Sequence, residues 1–366
     1  MDGHIDQDIF VLNSLSHRAK SINEKDMDER VECSDLPMEL LERIGKSLDT
    51  RIDVLRFRSV CNSWRSSIPS SSFHSNSPRF PHPSRFPHPS RSWLWIPVPA
   101  YLCESTLYRL QRLNPQTPDE GLLLIKVEES NLGNLRLLDP YRNRYEVVSL
   151  NLLDFRVLEF TKAYTLKCQC NCQPPTRGAI VINKVLKFPN SARTNVNDCA
   201  VFIVYFSGIL SFAKCGDENL TRVGDRGIKY EDIIVYEGLF YVVDSLGRVW
   251  WIREPLELVE FMPRLPPSDG WMKYLVESCG ALYVVDRGLH HFLKVYKMDR
   301  DKPEPWDLVN SLGDRAFVLG IDCCFSVSTE EFYGFKRNCI YFTDIRSVFN
   351  LEDDRFENLA PLPNLL

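Results

Sequence analysis

Two octapeptides nearly repeat one another: EGLFYVVD at 237–244 and CGALYVVD at 279–286, with a weaker echo, CIYFTD, at 339–344. Each is too short for a helix and rich in aromatic and β-branched residues, and the first two begin on a glycine-containing turn, the pattern of a strand entered from a tight turn. A strand that recurs after about forty residues marks propeller blades, each a small sheet that cannot bury its own faces and must stack on its neighbours. Further runs of the same kind, GLLLIKV, AVFIVYF, DIIVYEG and RVWWIRE, fill the chain beyond Trp93 with no comparable helical stretch between them. The region 93–366 therefore reads as all-β with antiparallel neighbours, with room for some five to seven blades at that period. A large β-sandwich is the competing all-β architecture.

The stretch SDLPMELLERIGKSLDTRIDVLRFRSVCNSWRSSI at 34–68 obeys a different period. Leu40, Leu41, Ile44 and Leu48 fall on one face at 3.6 residues per turn. Ser34 and Asp35 are N-cap candidates, and Pro37 suits a first turn whose N–H needs no partner. Gly45 and the polar LDTRID read as a break, after which Ile52, Leu55, Val60 and Trp64 suggest more helix, two or three short helices in all. This small module carries more apolar surface than it can bury within itself. Upstream, 1–33 is polar, mixed in charge and without a period, and reads as a flexible tail.

Between the two regions the composition turns to proline, and RFPHPS occurs twice in tandem at 79–84 and 85–90. Prolines that dense forbid a helix and favour an extended connector, here 71–92. Pro78 and Pro81 have the PxxP spacing of a ligand for a proline-binding domain. His82 and His88 are two metal-ligand types without further ligands, and neither pattern outweighs a plain connector.

A formal net charge of -5 offers no basic excess, against a general nucleic-acid binder. The acidic N-terminus does not look like a secretory signal. The most apolar run, VFIVYFSGILSF at 201–212, falls well short of the roughly 20 residues of a membrane helix. The expectation is a soluble intracellular protein without membrane or nucleic-acid partners, its 12 cysteines mostly reduced thiols.

Among those cysteines, Cys168, Cys170 and Cys172 in KCQCNCQPP are spaced closely enough to suggest zinc. No second ligand pair accompanies them, so thiols in a loop are the simpler reading. Cys323 and Cys324 fill a strand or its end rather than form a redox pair. Trp306–Asp307 lacks the Gly-His element of the familiar blade repeat. No GxSxG, phosphate-binding glycine loop or HExxH occurs, so no catalytic residue, metal or cofactor is assigned.

DLPMELLERI and LRFRSVCNSWRSSI resemble the two halves of the F-box, a helical module that docks onto the Skp adaptor of cullin-based ubiquitin ligases. SLGDRAFVLG at 311–320, NCIYFTD at 338–344 and FNLEDDRFENLAPLP at 349–363 resemble a plant family that joins an F-box to a KIB-type propeller. The resemblance implies a multi-domain chain: a small all-α F-box over 34–70, the proline-rich linker and an all-β propeller. It further implies that Leu36, Pro37, Leu40, Leu41, Ile44, Leu55, Val60, Cys61 and Trp64 face the adaptor or support that surface. The partners would be a Skp-type adaptor, a cullin through it and an unidentified protein target, with the chain a non-catalytic subunit in the nucleus, the cytoplasm or both. The alternatives are a propeller enzyme or ligand-binding protein with an incidental helical extension, or an F-box protein acting outside ubiquitination.

Overall fold

The computed structural model describes residues 36–48, 51–68, 79–87, 93–113, 122–129, 135–138, 155–168, 182–188, 199–267, 270–288, 292–320, 322–332, 335–343, 345 and 347–358. The expected tail 1–33, Ser34, Asp35, Pro78, His88, Cys170 and Cys172 lie outside these residues, as does the side chain of Cys168.

Three helices open the described chain: α1 (Met38–Ser47), α2 (Arg51–Ser59) and α3 (Asn62–Ser67). Pro37 stands one place earlier than expected, just outside α1, and its carbonyl accepts from the N–H groups of Leu40 and Leu41 at 3.0 and 3.1 Å. Gly45 does not break the helix. A Cβ there would fall 2.4 Å from Cδ1 of Ile68, so glycine is what lets the end of α3 close onto α1.

Among the described residues the strands form five blades. The first holds β1 (Arg79–Pro87), β2 (Trp93–Arg112), β3 (Leu122–Glu129), β4 (Leu135–Leu138) and β5 (Phe155–Cys168), and the second β6 (Ile182–Phe188), β7 (Ala200–Tyr205), β8 (Leu210–Lys214) and β9 (Thr221–Val223). These two are hydrogen-bonded into one sheet, but β5 meets β6 at the single Cα pair Tyr164↔Val185. The third blade is β10 (Tyr230–Tyr236), β11 (Leu239–Asp244), β12 (Val249–Arg253) and β13 (Glu257–Met262). The fourth is β14 (Gly270–Ser278), β15 (Ala281–Gly288), β16 (Leu293–Met298) and β17 (Trp306–Val309). The fifth, β18 (Arg315–Leu319), β19 (Cys324–Ser328), β20 (Cys339–Phe342), β21 (Ser347–Asn350) and β22 (Arg355–Asn358), has the order β19-β18-β20-β21-β22, with β18 and β20 parallel.

The ring closes because strand alternation gives every blade two apolar faces. In the third blade Ile233 and Val242 pack against Phe202 and Val204 of the second, while Tyr241 and Val243 pack against Leu282 and Val284 of the fourth. Phe317 and Leu319 meet the fourth blade, and Ala316 and Val318 meet Leu107 and Ala163 of the first. With Val185 and Val201 against Phe80 and Leu102, the described residues form five seams for five blades, which excludes the sandwich. The two octapeptides are the second strands of neighbouring blades. Glu237–Gly238 and Cys279–Gly280 open them with φ of 48°, 77°, 51° and 73°, the paired left-handed residues of a two-residue hairpin.

The expected connector is in part a strand. β1 pairs with β2 from Arg79↔Tyr101 to Pro87↔Trp93, setting Pro81 opposite Pro99 and Pro83 opposite Pro97. Two opposed prolines have no N–H to exchange, so these are the non-hydrogen-bonded pairs of the ladder, and His82↔Val98 is a bonded pair between them. At the non-bonded positions an N–H would point away from the partner strand, where proline removes a donor from an edge. The tandem repeat keeps that parity, because its prolines stand two residues apart.

Candidate functional site

The helical module buries one side of its apolar residues and presents the other. Leu41, Val54 and Phe57 are buried, and the Trp64 ring lies 4.5 Å from that of Phe57. Two arginines fasten α2 to α3: Arg58 donates to the Arg65 carbonyl at 3.1 Å and also to that of Ile68, and Arg65 Nε donates to the Arg58 carbonyl at 3.2 Å. Met38, Leu40, Ile44 and Val60 remain exposed, with 43% of Leu40 in solvent against 1% of Leu41, its neighbour in sequence. Pro37, Leu40 and Ile44 follow helical spacing and form one stripe.

Of the residues singled out by the resemblance, Pro37, Leu40, Ile44 and Val60 are exposed, and Leu36, Cys61 and Trp64 are partly covered. Leu41 is in the interior, in a supporting position. The backbone of Leu55 belongs to α2, and its side chain lies outside the described residues. Arg56, paired with Asp53 at 3.1 Å, also donates to the carbonyl of Val157 in β5, which ties the module to the first blade.

The second concentration of polar groups lies where the inner strands of the blades converge. Asp232 on β10 takes Lys184 Nζ of β6 at 2.6 Å, the Leu275 N–H of β14 at 2.8 Å and its neighbour's Ile233 N–H at 2.7 Å. The Cys324 thiol of β19 stands 3.7 Å from the same carboxylate. Lys126 of β3 pairs with Asp322 just before β19, and Lys273 pairs with Asp286 at 3.1 Å. One buried polar hub thus touches all five blades. Burial alone would lower the pKa of Lys184, but the Asp232 carboxylate outweighs it and holds the ammonium above the usual lysine range.

Burial dominates two other groups here. It pushes the Cys324 thiol up to about 12, and it raises the Glu231 carboxyl to about 7 against the opposing Lys273, whose N–H donates to Glu231 at 2.5 Å. Cys324 opens β19 and Cys323 is buried beside it, the strand-end role expected of them. Sequence reasoning missed the hub. Its lysines and aspartates stand singly in separate strands, and the one available signal was the aspartate ending both octapeptides, Asp244 and Asp286. Among the described residues no group of three or more His, Cys, Asp or Glu is placed to hold a metal ion.

The profile of the F-box domain matches residues 33–76, and that of the KIB1-4 beta-propeller matches residues 78–358, taking in β1. Three Arabidopsis thaliana proteins are similar over most of their length. F-box protein At4g35733 is 31% identical over 362 residues, covering 91% of this chain and 96% of the relative. Putative F-box protein At1g65770 is 30% identical over 349 residues, 87% of this chain and 92% of the relative. Probable F-box protein At1g65740 is 30% identical over 352 residues, 86% and 90% respectively.

Proposed function

This chain belongs to the F-box proteins that carry a KIB1-4 beta-propeller, and from that premise we propose that it is the substrate-recognition subunit of an SCF-type cullin ubiquitin ligase. The helices bind the Skp adaptor and through it a cullin. The propeller holds a protein target within reach of the conjugating enzyme that the complex recruits. Proximity is the mechanism, and this chain supplies no reacting group. Its place of action is the nucleus, the cytoplasm or both, and among the described residues no helix is long and apolar enough to cross a membrane.

One observation carries the reading: Leu40, Ile44 and Val60 remain exposed on a module whose other face is packed. Burying a large apolar side chain contributes about 1.5–3 kcal/mol, so a partner covering these side chains gains the energy that interfaces concentrate in a few anchors. The rival reading, a propeller enzyme, calls for polar groups converging on the axis and free to act on a ligand. They do converge, but Lys184, Lys126 and Lys273 are each engaged by a carboxylate of the ring itself.

Co-expression with a Skp adaptor tests the proposal. Leu40→Asp is expected to abolish co-purification while leaving the chain folded, because that side chain already meets water. Leu41→Asp is expected to unfold the helical module. Retention of the adaptor by a folded Leu40→Asp variant would remove the stripe from the interface.

A further inference from the structure

Strand register sorts the loops of the propeller onto two faces. In the third and fourth blades the hairpins at Tyr236↔Leu239 and Ser278↔Ala281 lie at one end, together with the turns at Arg253↔Glu257 and Met298↔Trp306. The turns from Asp244 to Val249 and from Arg287 to Leu293 lie at the other. Neighbouring blades share this sense: Tyr236 Oη donates to the Gly280 carbonyl at 2.9 Å on the first face, and the Tyr230 N–H to the Gly208 carbonyl at 2.9 Å on the second. In the fifth blade Ser326 meets Ser278 at 2.8 Å toward the first face, and Phe342 lies under Arg287 toward the second.

The first face carries an acidic excess. Its turns expose Asp217 and Glu218, Glu254, Asp301 and Glu304, and Asp353, against Arg253, Arg300 and Lys302. The module's contact lies at the same end. Arg109, opposite Leu158 in β5, donates to the carbonyl of Glu331 just past β19, and Arg56 reaches the adjacent Val157.

The second face differs in the spread of its apolar residues, since the first exposes Phe188 and Leu239 on the second and third blades. Phe206, Leu246, Trp271 and Ile345 come one from each of the second to fifth blades, and each is between 45% and 62% exposed. Exposed Arg226 and Lys229 lie between Phe206 and Leu246, with Asp225 beside them. The platform is stitched by its backbone: the Ser245 N–H donates to the Lys229 carbonyl at 2.8 Å, and the Leu265 N–H to that of Leu246 at 3.2 Å. Single exposed apolar residues are ordinary, but an arc of them on a braced surface, two of them aromatic, marks an interaction site.

We propose that this second face is the docking surface, and that it takes a protein segment combining aliphatic or aromatic side chains with acidic ones. The inference rests on the proposed role of the propeller as target receptor. Charge complementarity fixes the partner's sign: an acidic segment meets Arg226 and Lys229 here and is repelled by the opposite face.

The test screens the full chain against a random peptide library displayed on phage. Selected peptides are expected to be rich in Asp or Glu with Leu, Phe or Trp. A synthetic copy should bind Phe206→Ser and Trp271→Ser at least tenfold more weakly, and Leu239→Ser, a change on the acidic face, as wild type. Lys229→Glu should weaken binding and recover it for a peptide whose acid is replaced by lysine. Equal thermal midpoints confirm intact folds. Selection of Lys- or Arg-rich peptides, selection of none, or loss of binding with Leu239→Ser alone would overturn the proposal. Adaptor capture by the same preparations reports separately on the ligase role. A chain that binds acidic apolar peptides without capturing adaptor keeps this face and loses that role.

Discussion

Gly270 opens β14 beside Asp286, and a Cβ there would stand 1.6 Å from Oδ1 of that carboxylate. Asp286 is wholly buried and holds Lys273, itself almost wholly buried, so displacing it leaves an ammonium without its counter-charge. Gly270→Ala should therefore destabilise the chain by about 3 kcal/mol in denaturant unfolding, the order expected when a buried ion pair is broken. Glu231 gives a second prediction at this scale. Its carboxyl pKa is raised from 4.5 to about 7, so between those values the folded state keeps a proton that the unfolded state has released, and stability falls as pH rises. Glu231→Gln should remove that part of the decline between about pH 4.5 and 7, with no change in its slope counting against the assignment. Neither role was readable in the sequence, because both depend on which side chain from another strand comes to lie opposite. The final aspartate of each octapeptide was visible, but not that Asp244 staples its own turn, accepting from the Leu246 and Arg248 N–H groups, whereas Asp286 turns inward to a lysine.

β1 shows where composition misleads about an element. Its prolines exclude a helix and discourage a central strand, but spaced two apart they suit an edge, since all of them fall at positions that donate nothing to the partner. His82→Pro should break the ladder by removing a donor opposite Val98, whereas Pro83→Ala should leave it intact. Hydrogen exchange at residues 96–100 would show faster exchange in the first variant alone, and equal protection in both would contradict the pairing. The helical stretch at 38–47 is legible from its period, although Gly45, punctuation by residue type, is there for its lack of a side chain, which serves packing against Ile68. The fifth blade was the least legible. Local propensity identifies CIYF as a strand and cannot reveal that it pairs in parallel with β18.

Across the whole molecule, the repeat made the propeller legible and left its blade number open, because the outer strands carry no shared wording. Closure depends on side chains that no period records. Asp232 engages the second and fourth blades directly and lies beside the fifth, and Asp322 brings in the first. Asp232→Ala leaves Lys184 buried beside an uncharged position and is expected to cost about 3–5 kcal/mol. Calorimetry of the variant would register the loss, and an unchanged midpoint would show that the hub does not hold the ring. On the proposed reading the chain divides its labour between an apolar helical stripe and a propeller face, and the stripe is the part on which the proposed ligase role depends. Isothermal titration of a purified Skp-type adaptor into the full chain tests that most directly. One-to-one binding by wild type and by Trp271→Ser, lost in a folded Leu40→Asp variant, is the predicted result. No binding by the folded wild type, or unchanged binding by Leu40→Asp, would contradict it.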